Sequence, residues 1–107
     1  MTQHPYKVDD ILVWSWGYEQ TNIDFFKVTE LRGKTMVMLQ QVHKRLDRGD
    51  DLASYVVPVP EEVKGEPLRR RVVQDYDGAW VARMKHGSSL RLWKGTPEFE
   101  TGPGAQR

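Results

Sequence analysis

The dipeptide Asp77-Gly78 stands between two runs of strand-forming residues, Leu68 to Gln74 and Trp80 to Lys85. Asp-Gly readily takes the backbone conformation of a tight hairpin turn, so the two runs are predicted to pair as antiparallel neighbours. The same punctuation recurs along the chain. Arg32-Gly33 separates Phe25 to Leu31 from Thr35 to Val42, and Ile11 to Trp16 is a further β-branched and aromatic run. Tyr55 to Val59 and Ser89 to Trp93 complete the set, with Pro58 and Pro60 assigning the former to an edge or a strand end. About six or seven short strands at this spacing predict a mainly β fold with little or no helix. The expected form is a single small antiparallel barrel or sandwich, with an SH3-like barrel preferred. Only Gln41 to Arg48 shows helical spacing, with Val42 and Leu46 at i, i+4, and Gly49-Asp50-Asp51 ends it. It reads as a polar loop or a single turn.

The chain has 107 residues, enough for one domain, taken here as 1–100 with 101–107 as a disordered tail. There is no cysteine, which excludes a disulfide scaffold, a thiol nucleophile, a cysteine zinc site and an iron–sulfur cluster. His4, His43 and His86 have no partner at metal-ligand spacing, and neither a phosphate-binding glycine loop nor a G-x-S-x-G elbow is present. The expectation is a protein without catalytic residues, metal or cofactor. No apolar run is long enough to span a bilayer and the first residues lack the pattern of a signal peptide, so a cytoplasmic protein is expected.

The net charge of +1 conceals an asymmetry. The first 63 residues carry an excess of acid, whereas residues 64–95 hold Lys64, Arg69, Arg70, Arg71, Arg83, Lys85, Arg91 and Lys94 against Glu66, Asp75 and Asp77. Alternation along the Asp77-Gly78 hairpin assigns Leu68, Val72, Trp80, Ala82 and Met84 to the core. Arg69, Arg71, Arg83 and Lys85 then share the opposite, exposed surface. Arg70 falls on the apolar side, a conflict that the sequence leaves standing.

The least generic segment is Trp14-Ser15-Trp16-Gly17-Tyr18-Glu19-Gln20-Thr21-Asn22-Ile23-Asp24-Phe25-Phe26, where aromatics alternate with hydrogen-bonding side chains. Asp24 beside two phenylalanines predicts a partly buried carboxylate with polar partners. The string SWGYEQTNIDFFKV, together with Asp10 and Ile11 before it, resembles the signature of a family of small proteins encoded by phages, prophages and plasmids. A weaker echo of that family is the run Leu92-Trp93-Lys94-Gly95-Thr96-Pro97. The resemblance implies a mobile-element origin and a small β-rich domain, and it implies no catalytic residue.

Two functional readings follow. In the preferred one the protein binds another protein, from the host or the phage, through Trp16, Tyr18, Gln20, Asn22 and Trp93, aromatic anchors beside adaptable polar groups. Thr21 and Asp24 belong to a network that fixes the loop. In the alternative, the barrel binds nucleic acid. Lys64, Arg69, Arg71, Arg83, Lys85, Arg91 and Lys94 contact phosphates, and Trp80 or Trp93 stacks on bases.

Overall fold

The computed structural model describes residues 5–17, 21–49, 53–84 and 88–101. Eight antiparallel strands account for most of them: β1 (Ile11–Trp16), β2 (Asn22–Arg32), β3 (Met36–Gly49), β4 (Ala53–Val63), β5 (Leu68–Gln74), β6 (Trp80–Arg83), β7 (Ser89–Leu92) and β8 (Glu98–Thr101). The sheet runs in the order β2-β1-β7-β6-β5-β3, and β3 pairs back onto β2. Six strands therefore close into a small barrel. Among the described residues there is no helix, and so none long and apolar enough to cross a membrane.

Every strand of the ring sends apolar side chains inward. Leu12, Phe26, Val28, Val37, Leu39, Val72, Ala82 and Leu90 form one buried cluster, and Tyr6 packs against them from the segment before β1. Burying a side chain of this size stabilises the fold by about 1.5–3 kcal/mol. Glycine matters at the β2–β3 turn, where Gly33 has φ +60°, a conformation that other residues adopt only with strain. Thr29 is the extra residue of a bulge between Val28 and Glu30, after which Leu31 returns to the inner face.

A second core lies outside the barrel. Val13, Ile23, Phe25, Val42 and Val56 are buried together, with Ile11 and Trp93 packed against them. β3 is long enough to serve both cores: Met36 to Leu39 pair with β5, whereas Val42 to Gly49 pair with β4. β4 then carries β8 on its other edge, from Ala53↔Thr101 to Val56↔Glu98. This β4–β8 arm folds over the outer face of β1–β2. Its end is tied to β2: Thr101 N donates to Thr21 O (2.9 Å), and Thr21 N donates to Thr101 Oγ1 (2.7 Å). Ile23 N donates to Glu100 Oε2 (2.9 Å), and Lys44 Nζ bonds both Glu100 and the carbonyl of Ile23. The arm explains an otherwise odd sequence. Phe25 and Phe26 are adjacent and both buried, which a strand permits only when both its faces are covered.

Three expectations need correction. Gln41 to Arg48 is neither loop nor helical turn but the second half of β3. Its side chains from His43 onward are exposed, so the stretch has no apolar alternation to betray it; ladder pairing with β4 selects the extended form. At its end Gly49 is required by close approach, because a Cβ there would stand 2.5 Å from Ala53 O. Trp80 is not a core residue. It stays 42% exposed at one mouth of the barrel, where Tyr6 occupies the interior position and donates its hydroxyl to Trp80 O (2.8 Å). Thr101 belongs to β8 rather than to a disordered tail, and the rest of that tail, 102–107, lies outside the described residues.

Val72 and Ala82 are buried as expected, with Leu68 and Met84 packed at the core margin, and on the opposite face Val81 is also buried, opposite Val73. Arg70 resolves its conflict by lying half-buried, Nε donating to Met84 Sδ (3.4 Å) and Nη1 to Arg69 O (2.8 Å). An arginine can lay its apolar stem on a core margin while its head finds acceptors.

Candidate functional site

Strand register sorts the aromatic–polar segment by face. Trp14 stands opposite Asp24 and Trp16 opposite Asn22, so these four share the inner face of the β1–β2 hairpin. Trp14 reaches the barrel core and tilts against Phe26, whereas Trp16 lies one step further out and is 42% exposed. The two indoles stack with centroids 5.4 Å apart. Trp16 Nε1 donates to Asp24 Oδ2 (2.8 Å), so the exposed ring is held in one orientation. Trp14 Nε1 is buried, with no hydrogen-bond partner among the described residues.

The remaining members of the expected protein-binding set are dispersed. Tyr18 and Gln20 lie outside the described residues. Asn22 is half-buried. Trp93 is partly buried rather than fully exposed: it packs edge-on against Phe25 at 6.0 Å at the margin of the outer core, and its Nε1 donates to Thr96 O (2.7 Å). Of that set, Trp16 alone among the described residues is an exposed aromatic.

The basic residues behave differently. β5 pairs with β3 through Met36↔Arg71 and Met38↔Arg69, and with β6 through Val72↔Ala82. Directly paired residues share a face, and alternation turns Val72 and Ala82 inward, so Arg69, Arg71 and Arg83 all point outward. One step beyond the Val72↔Ala82 pair, Arg71 and Arg83 come level on neighbouring strands. Like charges placed this way repel. All three are exposed, and none has an ion-pair partner among the described residues.

The other cations are spent or stand apart. Arg91 Nη2 is held by Glu98 Oε1 (2.8 Å). Arg32, which closes the Arg71–Met36 row on β2, is paired with Glu30 (3.0 Å); that hydrogen bond and charge raise its pKa above its ordinary value. Lys64 is exposed in the β4–β5 connection, where its amide donates to Gln41 O (2.8 Å) and its carbonyl accepts from Gln40 Nε2 (2.8 Å). Lys94 lines a groove of about 490 Å³ at the barrel mouth, with Trp80, Leu92 and Asp77. Lys85 lies outside the described residues. Tyr6, buried beneath that groove, has its phenol pushed up to about 12 by burial and, secondarily, by the charge of Asp10.

One aromatic escaped the sequence reading. Tyr76, in the turn between β5 and β6, is fully exposed. It borders a shallow depression of about 450 Å³ on the same outer face as Arg83, floored by Val73 and Val81. Its position inside Asp75-Tyr76-Asp77-Gly78 was the available signal, since a side chain at a hairpin tip is remote from the core.

No three His, Asp or Glu side chains among the described residues gather where they could hold a metal ion. Comparison with protein-family models, curated proteins and solved structures finds no match to this chain.

Proposed function

We propose that the protein is a non-enzymatic nucleic-acid-binding β-barrel whose contact surface is the outer face of β5 and β6. The observation that carries this is the gathering on one sheet face of three exposed guanidiniums, Arg69, Arg71 and Arg83, with no ion-pair partner among the described residues. Guanidinium groups in such a row donate two parallel hydrogen bonds each to phosphate oxygens, and a polyanion relieves their mutual repulsion. A cytoplasmic setting and a mobile-element origin, which the resemblance of residues 10–28 implies, belong to the same proposal.

The test is fluorescence anisotropy of labelled single-stranded DNA, duplex DNA and RNA, at low and at physiological salt. Affinity should fall steeply as salt rises, and an Arg71→Ala/Arg83→Ala variant should lose most of it. Flat titrations with all three probes at low salt would overturn the proposal.

A specific observation favours protein recognition as a second reading. Trp16 is an exposed indole already fixed by Trp14 and Asp24, so a partner covering it loses little conformational entropy. Under that reading Trp16→Ala abolishes capture of one reproducible partner from a host lysate while the thermal midpoint stays close to the parent's. The order of the two readings is reversed from the sequence-based preference because Trp93 packs against the outer core, whereas Arg69, Arg71 and Arg83 are exposed with no ion-pair partner among the described residues.

A further inference from the structure

Resting on the nucleic-acid reading above, we propose that the bound strand is single and that one of its bases, unstacked, is seated on the outer face of the β5–β6 hairpin beside Tyr76. The depression there, about 450 Å³, has room for a nucleoside and lies beside Arg83. Its floor is the Val73↔Val81 ladder pair, an apolar surface suited to the face of a base. Gln74 and Ser89 border it as polar groups for a base edge. Gln74 Nε2 already donates to Gly78 O (3.0 Å), which leaves its amide oxygen as an acceptor.

Tyr76 is built to present its ring. The turn beneath it is closed by Asp75 N to Ala79 O (2.7 Å) and Gly78 N to Asp75 O (2.9 Å). Tyr76 N donates to Asp75 Oδ1 (2.8 Å), so the backbone is held while the ring remains fully exposed. An aromatic that buries nothing in its own fold, on a fixed turn beside a base-sized depression, is a stacking platform.

Charge sets the polarity of the bound strand. Asp75 and Asp77 repel phosphate from the turn, whereas Arg71 and Arg83 attract it along the strands, so the backbone follows the arginines and a neutral base reaches Tyr76. Duplex bases have both faces stacked and cannot enter this seat; a single strand offers them.

The experiment compares a labelled oligo-dT of about a dozen nucleotides with a duplex of the same length. The probes are titrated against the parent, Tyr76→Ala, Tyr76→Phe and Arg71→Ala/Arg83→Ala, and thermal midpoints confirm that each variant is folded. A second single-stranded probe carrying 2-aminopurine reports stacking directly. The single strand should bind about tenfold or more tightly than the duplex. Tyr76→Ala should cost about tenfold for the single strand, nothing for the duplex, and also the 2-aminopurine signal, whereas Tyr76→Phe should retain all three. The arginine variant should weaken both ligands. Equal affinity for both ligands, lost in the arginine variant but untouched by Tyr76→Ala, would overturn the base seat and leave the phosphate surface standing. Absence of binding to every probe at low salt would overturn both.

Discussion

The β1–β2 and β5–β6 hairpins both belong to the barrel wall and are used in opposite ways. β1–β2 is covered on both sides, by the barrel interior through Leu12 and Phe26 and by the β4–β8 arm through Val13, Ile23 and Phe25. β5–β6 is covered by the barrel interior through Val72 and Ala82; on its other face Val81 is buried, while Arg69, Arg71 and Arg83 reach solvent. The more distinctive sequence therefore belongs to the more enclosed hairpin. Unusual residues there answer a packing problem, two adjacent phenylalanines that each need a cover. The plainer hairpin retains the open surface, which is where a ligand can act.

That contrast can be broken most directly at the two phenylalanines. Phe25→Ala and Phe26→Ala should each cost about 3–5 kcal/mol in denaturant unfolding, since each empties a different buried core. A cost under about 1 kcal/mol at Phe25 would mean that the outer face is not closed. The arm's tie is expected to matter next. Glu100→Ala leaves Ile23 N and Lys44 Nζ without the carboxylate and should cost about 1–3 kcal/mol. Retained stability in that variant would show that the β8 ladder alone holds the arm.

Tyr6 sharpens the comparison from the β5–β6 side, because its hydroxyl closes the mouth against Trp80 O. The folded phenol titrates at about 12, above the ordinary 10.0. The unfolded phenol therefore ionises first, and the stability Tyr6 supplies is intact below pH 10 and lost as pH climbs from 10 to 12. Denaturant midpoints of Tyr6→Phe should fall less over this window than those of the parent; parallel curves would contradict the buried phenol. The smallest effect on folding belongs to the open face. Arg71→Ala/Arg83→Ala should shift stability by no more than about 0.5 kcal/mol, on the stabilising side because two level like charges are removed. The same variant should lower the salt slope of single-stranded DNA binding by about 1.4 units, about 0.7 for each phosphate that is no longer neutralised. A large destabilisation with an unchanged slope would make these arginines structural.

Much of the strand order was legible in the residues. Ile11–Trp16 and Leu68–Gln74 are strands over the predicted spans, and Arg32-Gly33 and Asp77-Gly78 mark the turns of two hairpins. Those signals are local: alternation needs only neighbouring residues, and a turn needs only its own backbone. The outward placement of Arg69, Arg71 and Arg83 was legible for the same reason. The second half of β3 was not, because its exposed Lys44, Arg45, Asp47 and Arg48 carry no period and its extended form depends on β4. Trp93 and Trp80 exchanged their expected surroundings because burial is decided by what arrives from elsewhere in the chain. Trp93 follows β7 onto the outer face of β1, where its amide donates to Ile11 O and its ring meets Phe25, and Tyr6 takes the interior position near Trp80.

The sequence by itself thus determined the β class, the hairpin turns and the face on which the unpaired arginines lie, all set within a few residues of each other. Only the tertiary structure decided that the sheet closes through β2 and β3 and that the β4–β8 arm makes a second core. Each of these depends on contacts between distant segments, and no local pattern records the partner that covers a face or leaves it bare.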